Sequence, residues 1–430
     1  MKSVLERELA SYVRQRADRL TAILSDLVRI PSENTAPTGA EQACQNYVAA
    51  TLRAADWQPH SYSPLDAPGI TEHPAYWPGR DYTERPNIAA RRTGRGGGKS
   101  LILSGHIDTV PAGAASWAHS PFSAHIEGNR LYGRGAFDMK AGIAANLFVA
   151  EALTDLDLRL AGDLTIESVV DEEFGGVNGT LAGRLMGYRA DAAVISEPSL
   201  QRICPAQRGG RTVQITFAAP NAGVLSAAAG ANVAEQLRLF LNALPDFERQ
   251  RKEQAPRHSM YRHLAHPVPV TVARIFTAAW GTSEPPNVPP LCRVELFWQT
   301  MPGEECSSID HHFHNWFDAF LRAHAASFAI RPQLEHPIRW LPGSSLPSDA
   351  PLIGAFAASA QSVLGDTPQV CGIEGPCDMY IFHDFEIPTL LWGAKGANAH
   401  MADEYVELDS LIESTQVLLN FVCDWCGVAQ

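Results

Sequence analysis

Six side chains able to hold a cation or move a proton follow short apolar runs of this 430-residue sequence. They are His106 in SGHIDTVPAG (104–113), Asp138 in LYGRGAFDMKAG (131–142), Glu172 and Glu173 in SVVDEEFG (168–175), Glu197 in AAVISEPS (192–199) and His400 in GAKGANAHMADEY (393–405). Taken singly, each has an ordinary reading: a surface His–X–Asp pair, a helix N-cap aspartate, an acidic turn, a glutamate before a proline, a loop histidine. Taken together, two imidazoles and three carboxylates (His106, Asp138, Glu173, Glu197 and His400) suit Zn2+, with Mn2+ or Co2+ as substitutes. A site of that size holds two cations sharing a bridging carboxylate, roughly 3.5–4 Å apart. The triplet Asp171, Glu172, Glu173 poses the same requirement from the other side. Three like charges at the end of a buried strand are costly unless something positive sits there. On an extended chain, side-chain alternation sends Glu172 away from its two neighbours. The two-residue gap between His106 and Asp108 puts both on one face. Asp108 is thus a candidate partner for the second imidazole N–H, or a group that orients a catalytic base.

The elements that must position these residues alternate. SLILSG (100–105), DLTIESVV (163–170), DAAVIS (191–196) and IPTLLWG (387–393) read as strands. AGIAANLFVAEAL (141–153), GTLAGRLMG (179–187), PLIGAFAASAQSVLG (351–365) and LDSLIESTQVLLNFVCDWCG (408–427) read as helices. This is α/β layering, a mixed sheet sandwiched by helices, and ligand sites of open α/β sheets lie outside the carboxyl ends of the strands. Between residues 208 and 344 the texture changes to strands and helices without crossover glycines, as in RTVQITFAA (211–219) and SIDHHFHNWFDAFLRAHAAS (308–327). The expectation is a discontinuous catalytic domain, 1–207 with 345–430, and a smaller inserted α+β domain, 208–344. The Pro-, Gly- and aromatic-rich stretch 63–86 is expected to be a substrate-side flap.

Length favours two domains. A net charge of -13, from 34 basic and 47 acidic residues, argues against nucleic acid as a partner. The N-terminus reads as an amphipathic helix, with Leu20, Ile23, Leu24, Leu27 and Ile30 at helical spacing, and is neither a signal peptide nor a membrane span. The eight scattered cysteines fit a reducing cytoplasm. CDWC (423–426) has no matching second pair and reads as buried helical thiols.

The segments GHIDTVP, SPFSAHIEGNRLYGRGAFDMKAG, DEEFGG, SEP and AHMADEYV resemble, in order and spacing, the dinuclear-zinc amidohydrolase superfamily. That superfamily includes aminoacylase, carboxypeptidase G, succinyl-diaminopimelate desuccinylase and acetylornithine deacetylase. HPAYWPGRDYTERPNIAA and ICPAQRGG look most like its deacetylase/deformylase branch. The resemblance implies that Asp138 bridges two zinc ions. His106 and Glu197 complete one site, and Glu173 and His400 the other. It further implies Glu172 as general base, Asp108 behind the ligands, a cis peptide at Asp138–Met139, and an inserted domain that serves as lid and dimerisation surface.

The inserted domain departs from the pattern. Asn221 stands where many relatives have a histidine that reaches a neighbour's oxyanion; it is either a hydrogen-bond donor in that role or a loop residue without one. Gln299 replaces an arginine that binds the substrate carboxylate, while the upstream asparagine survives as Asn287. Asp378, in EGPCD, falls where relatives approach substrate. The expected activity is hydrolysis of a small N-acetyl or N-formyl amide by a cytoplasmic dizinc homodimer. The alternatives are a dipeptidase or carboxypeptidase of the same fold, against which Gln299 counts, and a catalytically silent binding protein.

Overall fold

The computed structural model describes residues 4–429 except 174, 176–177, 221, 224–231 and 278–286. The chain forms two compact units, Met1–Ala206 with Ser345–Ile373 and Cys377–Gln430, and Gln207–Ser344 with Glu374–Pro376.

The larger unit is built on a six-stranded mixed sheet in the order 389–391, 192–195, 101–104, 164–168, 87–92, 59–62. The first four strands are parallel and the last two antiparallel. Alternation along the parallel strands separates two cores. Leu101, Leu103, Leu164, Ile166, Ala192 and Val194 face helices Ala17–Arg29, Lys140–Asp155, Pro351–Leu364 and Leu408–Cys426. Ile102, Ala193, Ile195 and Leu391 face the side of helix Met379–Asp384. Both faces are therefore apolar, which is why these strands read as continuous hydrophobic runs. A smaller antiparallel sheet, ordered 396–397, 405–407, 130–132, 125–127, lies beside it in the same unit.

The N-terminal amphipathic pattern resolves into two helices, Val4–Gln15 and Ala17–Arg29. The second buries Leu20, Ile23, Leu24 and Leu27, and Ile30 falls just past its end. The stretch 63–86 is not a free flap. Its Ala67 and Ile70 are buried with Tyr62, Leu181, Ala182, Tyr380 and Ile381, so apolar packing fixes it to the second face of the sheet.

In the smaller unit an antiparallel sheet has the order 270–276, 291–300, 209–218, 333–335. Val213, Ile215, Phe217, Val294, Leu296 and Trp298 on one face pack with Phe240 and Phe247 of helix Val233–Gln254 and with Phe313 and Phe317 of helix Cys306–Ala323. Among the described residues no helix is long and apolar enough to cross a membrane.

Candidate metal centre

Three of the parallel strands end at one place. Leu101–Ser104 leads to His106, Leu164–Ser168 to Glu172 and Glu173, and Ala192–Ile195 to Glu197. The smaller sheet supplies the other candidate ligands. Asp138 follows strand Arg130–Tyr132, and His400 sits in the loop joining Gly396–Ala397 to Tyr405–Glu407. His106 Nε2 lies 3.3 Å from Asp138 Oδ1 and 3.5 Å from Glu197 Oε1. His400 Nε2 lies 3.2 Å from Asp138 Oδ2 and 2.9 Å from Glu173 Oε2. Asp138 thus faces one imidazole with each of its carboxylate oxygens. The trios His106–Glu172–Glu197 and His106–Asp138–Glu173 each offer ligand atoms within 4.8 Å of one another. A tetrahedral zinc with bonds near 2.0–2.1 Å has neighbouring ligand atoms about 3.3 Å apart, so this donor set and spacing fit the ion. The Asp138–Met139 peptide is cis.

Charge is concentrated here. Burial pushes the Glu172 and Glu197 carboxyls well above the usual range, and neighbouring carboxylates add to it against the pull of His106. Burial works against the His106 imidazolium, yet Glu197, Asp108, Asp138 and Glu172 together hold its pKa well above the ordinary value. His400 is half exposed. Burial opposes its charge as well, but Asp138 and Glu173 raise its pKa to about 11.

Asp108 is fully buried and works through its neighbours. The His106 Nδ1 pairs with the Asp108 backbone carbonyl at 2.9 Å, while the nearest Asp108 carboxylate oxygen stands 3.6 Å away. That carboxylate accepts the backbone N–H groups of Glu172 at 3.2 Å and Glu173 at 3.1 Å. Both expected uses of Asp108 have a hydrogen bond: its backbone carbonyl meets His106 Nδ1, and its carboxylate holds the Glu172 segment.

The alternation expected of the acidic triplet does not occur. The strand ends at Ser168, and Asp171 has a left-handed backbone, φ 74°. The turn, rather than the pleat, separates the side chains. Asp171 is buried and bonded to Arg80, Arg85 (3.3 Å), the Tyr82 hydroxyl (2.6 Å) and the Asn34 amide (3.1 Å). Its positive partners are therefore arginines. The same Asn34 Nδ2 donates to Asp108 at 2.9 Å, so one amide joins both acids behind the candidate ligands.

Asp378 is buried and accepts from the Thr180 hydroxyl; burial pushes its carboxyl up to about 7. Gln299 belongs to the smaller unit, where its amide donates to the Glu374 carbonyl at 2.6 Å. Asn287 opens a two-residue strand paired with Ala222–Gly223 in that unit. Asn221 lies outside the described residues.

Sequence reasoning missed Asn34, Arg80, Tyr82 and Arg85 behind Asp171, and Glu404 behind Asp138. Glu404 stands inside AHMADEYV, four residues after His400, and that nearness to His400 was its only signal.

Residues 102–424 match the model of "Peptidase family M20/M25/M40". N-formyl-4-amino-5-aminomethyl-2-methylpyrimidine deformylase of Bacillus subtilis is 26% identical over 371 residues, covering 80% of this chain and 84% of that protein. The protein of the same name from Halalkalibacterium halodurans is 27% identical over 368 residues, with the same coverages of 80% and 84%. Among solved structures, human carnosine dipeptidase 1 superposes with a TM-score of 0.77 at 15% identity, covering 99% of this chain and 100% of that chain. A dinuclear metal binding peptidase of Bacillus subtilis gives 0.58 at 15% identity, covering 95% and 98%. These two likenesses show the fold. The family model spans most of the sequence, including His106, Asp138, Glu173, Glu197 and His400: the chain belongs to Peptidase family M20/M25/M40 and is a metal-dependent hydrolase of amide bonds.

Proposed function

We propose that this enzyme removes a formyl or acetyl group from a small N-acyl amine, using two zinc ions held by His106, Asp138, Glu173, Glu197 and His400. The observation that carries the reading is the placement of Asp138 between two imidazoles, 3.3 Å from His106 and 3.2 Å from His400, with Glu197 and Glu173 completing the two ends. The names of the two deformylase relatives support an N-formyl amide as the first substrate to try. Two bound cations would supply Lewis acidity to the amide carbonyl and make a water molecule easier to deprotonate.

The chain's own residues do the rest. Asp108 grips the Glu172 and Glu173 amides and so aims both side chains. Glu173 is turned to His400, whereas the Glu172 carboxylate has no hydrogen bond to a described residue and lies 3.9 Å from His106 Nε2. Glu172 takes the proton of the attacking water on a carboxylate oxygen and returns it to the leaving nitrogen. The products are a carboxylate and an amine. Asp378, and from the smaller unit Asn221, Asn287 and Gln299, are proposed substrate or oxyanion contacts.

A homodimer formed through the smaller unit is part of this proposal. Strand Val270–Phe276 is a sheet edge that exposes Ile275 and Phe276, the kind of surface a second copy covers.

The test combines metal analysis, a Glu172→Ala variant, and a screen of N-formyl, N-acetyl and N-succinyl amines together with dipeptides. Expected are two zinc ions per chain, turnover of a formyl or acetyl amide, and near-total loss of turnover in Glu172→Ala with metal retained. Cleavage of dipeptides alone would reassign the substrate class. Normal turnover by Glu172→Ala would remove the base assignment, and no turnover of any of these amides would overturn the proposed substrate class.

A further inference from the structure

Asp138 and His400 reach the centre from segments far apart in sequence, and these segments are zipped together. Strand Tyr405–Glu407 pairs with Arg130–Tyr132, and the ladder continues past its end, where the Gly133 N–H donates to the Glu404 carbonyl at 2.9 Å. At that point the Glu404 side chain takes over. Its Oε1 accepts the N–H groups of Phe137 at 2.9 Å and Asp138 at 3.0 Å. Its Oε2 accepts the Gly135 N–H at 3.0 Å and Arg134 Nη1 at 2.7 Å. Glu404 is 0% exposed, so these bonds form out of water, where they count most. Three backbone donors and one guanidinium fill about the four acceptor directions that an ionised carboxylate offers. Nothing in the hydrolysis described above uses this residue.

We propose that Glu404 is a positioning residue for the cation pair: its carboxylate locks the backbone of Asp138 to the loop of His400 and so sets how tightly the ion between them is held. The inference rests on the reading of His106, Asp138, Glu173, Glu197 and His400 as ligands. Its physical basis is the donor pattern. Converging N–H groups form a nest matched to an anion. A glutamine would turn two N–H groups of its own toward one pair of these donors, and an aspartate is one methylene too short to span both pairs. In either variant the turn at 133–138 loses half its clasp while the ligand side chains stay intact. Removing such an outer hydrogen-bond partner typically costs 10–100-fold in metal affinity.

Glu404 could instead stabilise the fold and nothing more, so the experiment separates the two. Zinc affinity is measured by chelator competition on the full chain, and Tm is recorded with and without zinc, for wild type, Glu404→Gln, Glu404→Asp and Glu167→Gln. Glu167 is also fully buried and paired, to Arg184 and Ser104, and none of these three is a candidate ligand. It serves as a matched destabilising control. Expected for Glu404→Gln is a loss of about tenfold or more in affinity for one zinc equivalent, with a smaller zinc-induced rise in Tm. Glu404→Asp should fall between this and wild type. Glu167→Gln should lower Tm without zinc and keep wild-type affinity. If Glu404→Gln does not fold, Glu404→Asp carries the same comparison. Wild-type affinity in the Glu404 variants, with only the metal-free Tm reduced, would overturn the inference alone. A wild-type chain that takes up no zinc would overturn the ligand reading and this inference with it.

Discussion

The carboxylate of Asp171 and the guanidinium of Arg80 form a doubly hydrogen-bonded ion pair almost wholly out of water, with Arg80 Nε 3.1 Å from one oxygen and Nη2 against the other. Arg85 approaches the same carboxylate at 3.3 Å while its main partner is Glu41, bonded at 2.8 and 2.6 Å. Asp171 therefore anchors the end of the 63–86 stretch to the turn that carries Glu172 and Glu173. Replacing one member of a buried ion pair leaves the other charged and unpaired, at about 3–5 kcal/mol. Asparagine tolerates a left-handed backbone, so Asp171→Asn tests the charge rather than the turn. Guanidinium chloride denaturation should show a loss in that range. A loss below ~1 kcal/mol, the ceiling for an exposed pair, would mean that Asn34 and Glu41 suffice for both arginines.

A second prediction concerns close packing behind Glu197. A Cβ on Gly142, in the first turn of helix Lys140–Asp155, would meet the Ser196 carbonyl oxygen at 2.0 Å and the Ser196 Cβ at 2.7 Å. Helix propensity alone favours alanine over glycine by about 0.8–1.0 kcal/mol. The clash is with backbone, which cannot swing aside, and Ser196 is also tied to Asn146 at 2.7 Å. Overpacking of this kind costs about 1–3 kcal/mol, so the clash outweighs propensity. Gly142→Ala should melt at a lower temperature than wild type and hold less zinc, because Glu197 moves with Ser196. A variant as stable as wild type would show that the helix and strand can separate without cost.

Four residues of the candidate centre were legible because they follow apolar runs, whereas Asp138 and His400 come from short strands of the smaller sheet. The strands before His106, Glu172, Glu173 and Glu197 are buried on both faces, so their hydrophobicity marks where the sheet ends and the site begins. What stayed hidden depends on pairings that spacing does not encode. Nothing local to Arg80, Tyr82 or Arg85 announces that Asp171, some 90 residues on, is their partner. Side-chain alternation does not reach the acidic triplet for a related reason: the chain is not extended through Asp171, whose φ of 74° breaks the pleat. Strands Pro59–Tyr62 and Val270–Phe276 also escaped notice. Both are edge strands with little buried apolar surface, and so without the period that marks the others.

The thiols of CDWC offer a third prediction. Cys423 and Cys426 are buried in helix Leu408–Cys426, and burial pushes both up to about 12. The thiolate is the reactive form, so iodoacetamide near about pH 8, where an ordinary thiol of pKa ≈ 8.5 is partly ionised, should leave both unmodified in the native enzyme. Both should react fully once the chain is unfolded in guanidinium chloride, as read by mass spectrometry of the peptide that carries them. Modification of either in the folded enzyme would contradict their burial, and a chelator that sped their reaction would point to a metal on this pair.

The last prediction is a pH dependence of stability at a distance from the ligand residues. His383 lies in helix Met379–Asp384 with its Nε2 3.4 Å from the Thr389 carbonyl, and burial lowers its pKa from 6.5 to about 4. The sign follows from proton counts. Between about pH 6.5 and 4 the unfolded chain binds a proton at this site that the folded chain does not, so stability rises with pH across that window. The contribution is complete above the unfolded value and lost as pH falls through the folded one. A shift of this size is worth at most ~3 kcal/mol. His383→Gln removes the titrating group and keeps a side chain able to donate to the Thr389 carbonyl. Urea denaturation of the two proteins between these pH values should show a steeper fall for wild type on acidification, with the difference closing above neutral pH. Parallel curves would mean that His383 takes up its proton in the folded state as readily as in the unfolded one.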